Sequence, residues 1–331
     1  MKPIKIAATA TAAAATLALL VGSAAPAAAV PETVLRPAEL KRGPDIAVPH
    51  VEGRTVVDGD VRIKVEAARV HLLGPSGNDY VVGTSNADGS ARFRVLRLTP
   101  SGGRTVLLRG VPIWELLLSG DGTQIAFPKA GRDSSRVRVF DATDGTTQAD
   151  RTFRGSVSVL DLDEQRMVLG GWGPNRTFWW NTRSDATRRI SGRTGYEASI
   201  RADRVASYTK DPYLGGCTVV TTLRGTEPLW RSCSQRVATF APRGTRMATI
   251  HILSDGLGPR DVLLRKPHGK VLAHYSAQWF GALDWESDRK LLLDTNGTEK
   301  SATVRCVVAD CERASDLRPV PNLRRTTAAR S

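Results

Sequence analysis

A repeat of about 42 residues, returning six times after an export-type N-terminus, constrains this chain more than any other feature. Each unit reads as an apolar strand, a tight polar turn, a second apolar strand, a longer polar loop, a third strand, a turn containing Gly or Asp, and a fourth strand. The clearest copy runs from Trp114 to Phe153. It contains Leu118-Ser119-Gly120-Asp121-Gly122-Thr123-Gln124-Ile125-Ala126-Phe127 and then Val137-Arg138-Val139-Phe140-Asp141-Ala142-Thr143-Asp144-Gly145. Four strands per unit at this period predict an all-β chain folded as a β-propeller.

Two independent anchors keep the register. The second strand of each unit centres on Tyr80, Ile125, Met167, Val205, Met247 and Leu291, with gaps of 45, 42, 38, 42 and 44 residues. The turn between the third and fourth strands falls at Gly103, Gly145, Asp185, Gly225, Gly269 and Asp310, with gaps of 42, 40, 40, 44 and 41. Gly and Asp suit such turns because they tolerate positive φ or cap their own backbone. A seventh turn of this kind is Asp58-Gly59, between Arg54–Val57 and Val61–Val65. Seven outer hairpins against six inner ones predict six four-stranded blades plus an N-terminal hairpin. The alternative is seven sectors with the last incomplete. After Leu317 the sequence is rich in Arg and Pro and offers no inner strands. No stretch after residue 30 has sustained helical spacing, so long helices are not expected.

The domain reading follows. Residues 1–29 are a signal peptide and 30–53 a linker. The propeller spans 54–317, with the hairpin at 54–66 and the repeats over 68–317, and 318–331 form a basic flexible tail. Met1-Lys2-Pro3-Ile4-Lys5, an Ala- and Leu-rich run to Val21, and Ala27-Ala28-Ala29 supply the positive, apolar and small-residue parts of a Sec-type signal cleaved after Ala29. No Arg-Arg pair for twin-arginine export and no Cys for lipid attachment is present there. No later run of 18 apolar residues predicts a membrane span. The chain is therefore expected to be secreted and monomeric.

Four cysteines flank two third-to-fourth-strand turns, Cys217 and Cys233 around Gly225, and Cys306 and Cys311 around Asp310. Facing cysteines on neighbouring strands of an exported chain predict two disulfides, Cys217–Cys233 and Cys306–Cys311. Neither spacing matches CxxC and no His lies beside either pair, which argues against a zinc site.

The formal charge is +14, and loss of Lys2 and Lys5 with the signal lowers it by two. Arg dominates and is scattered, with no basic block, so nucleic-acid binding is not expected. A basic exported protein is instead drawn to anionic envelope polymers or acidic proteins.

Linear catalytic motifs are missing. The chain has no GxSxG, HExxH, GxxxxGK[ST] or GxGxxG. His50, His71, His251, His268 and His274 show no metal-ligand spacing. Asp141–Gly145 and Asn86–Gly89 resemble calcium loops but lack a downstream bidentate Glu, and turn chemistry accounts for both. No metal and no cofactor is expected. The segment Gly170–Arg176, followed by Phe178-Trp179-Trp180, holds three of seven Trp. It falls in the loop joining the second and third strands of its unit. Its counterparts are Thr84–Arg92, Lys129–Arg136, Thr209–Gly216, Ser254–Asp261 and Asp294–Ala302. All belong to one face of a propeller, where long loops leave side chains free to bind. Trp172 and Tyr213 are the candidate contact residues.

The Leu118–Phe127 run resembles the repeat of TolB-like and WD40-like propellers, in which a Ser-Pro-Asp-Gly turn precedes an Ile-Ala-Phe strand. Phe240-Ala241-Pro242-Arg243-Gly244-Thr245-Arg246-Met247-Ala248 is a looser copy, and Val137–Asp141 resembles the third strand of such a unit. The resemblance spans roughly residues 68 to 317. The Gly-His and Trp-Asp signatures of WD40 repeats are absent, and residues 30–67 are too short for the α/β domain that precedes the TolB propeller. The resemblance implies a secreted propeller used for binding, as in TolB, whose channel receives a protein partner. The sequence thus points to a non-catalytic binding or scaffold module for an envelope protein or anionic wall polymer. The alternative is an enzyme, a metal-dependent lactonase or glycan-active protein, whose ligands converge in the channel from several blades.

Overall fold

The computed structural model describes residues 30–320. The predicted signal peptide with its cleavage after Ala29, and residues 321–331 of the predicted tail, lie outside the described residues. Among the described residues, strands dominate and the helical content is three short 3-10 turns, Pro37–Glu39, Ile113–Glu115 and Pro212–Leu214.

Seven sheets follow one another along the chain and around a ring. Blade 1 is three-stranded, with His50–Glu52, Thr55–Asp58 and Val61–Lys64. Blades 2 to 7 are four-stranded meanders. Blade 2 spans Arg69–Arg109, blade 3 Leu117–Arg154 and blade 4 Ser156–Ser191. Blade 5 spans Thr194–Ser232, blade 6 Gln235–Ser276 and blade 7 Trp279–Arg313. The six predicted second-strand anchors all lie in second strands. The expected N-terminal hairpin gains a third strand, His50–Glu52, and becomes a seventh sheet. Three residues are too few to carry a period-2 signal, which is why the sequence places them in a linker.

That segment does more than link. Glu32–Val34 adds to the outer edge of blade 6, parallel to His274–Ser276. Lys41–Gly43 then runs along the outer strand of blade 7, where the Arg313 amide donates to the Lys41 carbonyl and the Gly43 amide to the Arg313 carbonyl. At the C-terminal end Arg318–Pro319, expected in the tail, pairs with Lys300–Ser301 of blade 7.

Alternation along each second strand explains why the sheets stack radially. Successive side chains of a strand point to opposite faces. In blade 3, Ile125 and Phe127 join the cluster shared with blade 2, while Ala126 joins that shared with blade 4. In blade 4, Met167 and Leu169 face blade 3 and Val168 faces blade 5. In blade 7, Leu291 and Leu293 face blade 6 and Leu292 faces blade 1. Each seam between neighbours has its own apolar cluster, so the core is a ring of seven cores. The seam between blades 7 and 1 is the thinnest, with Ile46, Leu292 and Ala314 buried and Val48 packed against them.

Candidate functional site

The loops between second and third strands and the blade-to-blade connections share one face. Among the described residues, ten large apolar side chains are exposed, and Trp114, Trp172, Tyr213, Leu214, Leu253 and Leu257 belong to this face. Exposed apolar side chains gathered on one face are a feature of interaction surfaces.

The sequence candidates meet there. Trp172 and Tyr213 line one cleft of about 410 Å³ with Tyr208, Asp211, Pro212, Arg236, Ile252 and Ser254. Trp172 ends the second strand of blade 4 and Tyr208 that of blade 5. Their rings lie 6.5 Å apart, and Tyr208 stacks on Tyr196 at 4.0 Å with an interplanar angle of 18°. Aromatic faces in such arrays offer flat apolar contact with specific geometry. Arg236, on the innermost strand of blade 6, is held by donation from Nη2 to the Ser254 carbonyl at 3.2 Å.

The loop carrying Tyr213 is pinned by its own chemistry. Asp211 accepts from the Tyr213 amide at 2.9 Å, and Gly215 takes the left-handed conformation that closes the turn. Tyr213 Oη donates to Asp255 at 3.2 Å, tying blade 5's loop to blade 6's. Cys217 and Cys233 are disulfide-bonded, with Cα atoms 4.0 Å apart, at the loop-face ends of blade 5's outer hairpin. Cys306 and Cys311 are bonded beside the outer turn of blade 7.

Below the aromatic residues lies a feature without a linear motif. The innermost strands of blades 2 and 4 to 7 carry β-bulges. The innermost-strand position opposite the second-strand residue that faces the next blade is Gly74, Asp161, Glu197, Thr239 and Asp284 in those blades and Leu117 in blade 3; in blades 2 and 4 to 6 it directly follows the bulge. Three of these six are acids. Asp161 accepts from its neighbour's amide at Leu162 (2.8 Å) and from Ile200 of blade 5 (2.5 Å). Burial, opposed by these amides, pushes its carboxyl up to about 6. Glu197 is pushed up to about 8, first by burial and then by the Asp161 charge, with Arg236 opposing both. Both residues are partly buried. Bulges re-aim side chains next to functional centres, but nothing in the repeat pattern distinguishes these acids from turn acids.

The acidic turns have their oxygens committed locally. Asp144 accepts from the amide and hydroxyl of Thr146, and Asp88 does the same from Ser90. Asp121 binds the hydroxyls of Ser119 and Thr123. A His–carboxylate group does exist elsewhere. Glu32, Asp261 and His274 bring one ligand atom each within 4.8 Å of the others on the outer edge of blade 6. The parallel pairing of Glu32–Val34 with blade 6 assembles it, so residues over two hundred positions apart became neighbours without a sequence signal.

These seven sheets in a ring are a β-propeller, the fold that TolB and WD40 proteins also have. No family model matches the chain, and no curated protein does. Among solved structures it is similar to an uncharacterized protein of Listeria monocytogenes, at 16% identity and a TM-score of 0.50, covering 77% of this chain and 86% of that one. It is also similar to the β-propeller domain of the trilobed protease of Pyrococcus furiosus, at 12% identity and a TM-score of 0.48, with 76% and 84% covered. TolB of Acinetobacter baumannii aligns at 11% identity and a TM-score of 0.41, with 82% and 60% covered. The likeness concerns the fold alone. Among the described residues, no helix is long and apolar enough to cross a membrane.

Proposed function

We propose that this protein is an exported, non-catalytic binding or scaffold propeller that presents its loop face to a protein or anionic polymer of the cell envelope. The aromatic cleft carries the reading. Trp172, Tyr208 and Tyr213 give flat apolar contact surface, and Arg236 adds a cation to the lining. The surplus of positive charge, +14 over the chain, favours an anionic ligand by long-range attraction. The two disulfides agree with an oxidising, extracytoplasmic location.

The test is binding of the purified protein to a glycerol-phosphate polymer and to solubilised envelope proteins, at low and high salt. The variants Trp172→Ala, Tyr213→Ala and Arg236→Ala should each weaken retention with unchanged melting temperature. Retention that survives all three substitutions would remove the cleft from the proposal.

A second reading, a glycan-active enzyme, is favoured by one observation. Glu197, raised to about 8, stays protonated near neutral pH while Asp161, at about 6, is mostly ionised. Paired carboxyl groups of unequal acidity are what glycoside cleavage needs. Release of reducing ends from cell-wall glycans, abolished by Glu197→Gln and by Asp161→Asn, would establish it and displace the binding reading.

A further inference from the structure

The thin seam between blades 7 and 1 is also where a strand position stands open. Among the described residues, blades 2 to 7 begin with an innermost strand, and blade 1 does not. Its outer turn at Asp58–Val61 fixes Thr55–Asp58 and Val61–Lys64 as third and fourth strands. His50–Glu52 is therefore the second strand. The two-residue turn Gly53-Arg54 makes Glu52 and Thr55 a hydrogen-bonded pair, and the alternation then turns the Val51 amide and carbonyl away from the sheet. Among the described residues, no backbone partner meets Val51 on that side. A groove of about 350 Å³ lies there, walled by Val48, Val51 and Leu292 and by Asp284 and Asp294.

The acids on that wall depart from the rest of the ring. Asp294 sits two residues beyond Leu292. The corresponding positions in blades 2 to 6 are Gly83, Pro128, Gly170, Tyr208 and Ile250, none of them charged. Asp284 lies opposite Leu292 as Asp161 lies opposite Val168, the second-strand residue that faces the next blade in each case. Asp161 uses one oxygen for its neighbour's amide and the other for the Ile200 amide at the end of the next blade's innermost strand. Asp284 makes the first of these bonds, from the Trp285 amide at 2.7 Å, and among the described residues has no counterpart of the second. The strand that would supply it is the one blade 1 lacks. Asp294 is met by Arg318 at 3.3 Å, and Glu52, at the rim, by Arg62 at 3.0 Å.

We propose that this groove is a second binding site, distinct from the aromatic cleft, which accepts an extended, basic peptide segment of a partner protein as the innermost strand of blade 1. Backbone pairing to Val51 supplies affinity without regard to sequence, as in other strand additions. The amide of the incoming strand takes the free oxygen of Asp284, as Ile200 does for Asp161. Lys or Arg side chains on alternate positions meet Asp284 and Asp294, and the intervening apolar side chains cover Leu292 and Val48.

The experiment uses the full chain and three fluorescent octapeptides, titrated by anisotropy. One alternates Val and Lys, the second alternates Val and Glu, and the third is the Val/Lys peptide interrupted by Pro. The Val/Lys peptide is expected to bind at least about tenfold more tightly than the others. Its binding should slow hydrogen exchange at the Val51 amide, fall about tenfold in Asp284→Ala, and persist in Trp172→Ala. The last arm separates this site from the cleft. Equal binding of the three peptides, or an unprotected Val51, overturns strand addition. No binding by the full chain overturns the proposal too. If a chain ending at Val320 then binds the peptide, the occupant is this chain's own segment 321–331 and not a partner.

Discussion

Arg305 and Glu286 form a buried ion pair on blade 7, with Arg305 Nε donating to Glu286 Oε2 at 2.7 Å and side chains only 5% and 3% exposed. The pair anchors the N-terminal segment as well. Arg305 also donates to the carbonyls of Pro44 and Asp45, at 3.0 and 2.8 Å, and Glu286 accepts from the Ala47 amide at 2.9 Å. One guanidinium and one carboxylate thus fasten the segment that crosses the thinnest seam of the ring.

Removing either partner leaves the other buried with only its second ion pair, Glu312 at 3.1 Å for Arg305 and Lys290 at 3.4 Å for Glu286, which puts the cost at about 3 kcal/mol, the low end for breaking a buried pair. Arg305→Met and Glu286→Gln are each expected to destabilise by about that amount in urea unfolding. Burial alone would raise the Glu286 carboxyl, but hydrogen bonds from Arg305 and Ala47 hold it below the usual range. A lowered carboxyl stabilises above its unfolded pKa and loses that contribution as pH falls through the folded value. Wild type should therefore lose stability on acidification below about pH 4.5 more steeply than Glu286→Gln. Parallel acid curves would show that the pair does not carry this dependence.

Glu197 predicts the opposite pH trend. Its carboxyl is raised to about 8, so the folded state prefers the proton. The contribution is complete below the ordinary Glu range and is lost as pH rises through about 8. Glu197→Gln should match wild type in melting temperature near pH 4 and exceed it at pH 9. An identical difference at both pH values would place the effect in packing instead of ionisation.

Reduction of Cys217–Cys233 should act on stability and on the cleft together. The bond spans 16 residues, a loop for which chain-entropy reasoning gives about 3 kcal/mol. Cys217→Ser/Cys233→Ser is expected to unfold at correspondingly lower denaturant. It should also be cut faster by protease within Thr209–Gly216, since the bond ties the end of that loop to the outer strand. Unchanged cleavage there would mean that Asp211 and the Tyr213–Asp255 bond hold the loop alone.

Gly122 tests the best-formed repeat turn. It has φ of 73°, and a Cβ there would stand 2.4 Å from the Pro75 carbonyl oxygen of blade 2. Gly122→Ala therefore combines left-handed strain with a backbone clash across a seam, and more than about 2 kcal/mol of destabilisation is expected in chemical unfolding. Gly59→Ala, at φ of 54° with open space around it, should cost less. Equal losses would mean that strain, and not blade-to-blade approach, sets the cost.

The sequence by itself determined the propeller class and the strands and register of the six repeated units. Period-2 alternation at Ile125-Ala126-Phe127 sends successive side chains to opposite seams, and turn residues such as Gly145 and Asp185 recur because their positive φ is a local demand. The pairing of Cys217 with Cys233 was legible for the same reason, since both flank one hairpin. Trp172 and Tyr213 could be assigned to a face by counting strands. Local rules could not supply what long-range pairing decides. His50–Glu52 is too short to show a period and becomes a strand only through its partner Thr55–Val57. Asp161 and Glu197 look like any other acids until bulges in adjacent blades set them side by side. Glu32, His274 and Asp261 meet only because the first strand of the chain lies against blade 6. The edge at Val51, open among the described residues, exists because a ring must close somewhere, and only the closed ring shows which strand position these residues leave unpaired.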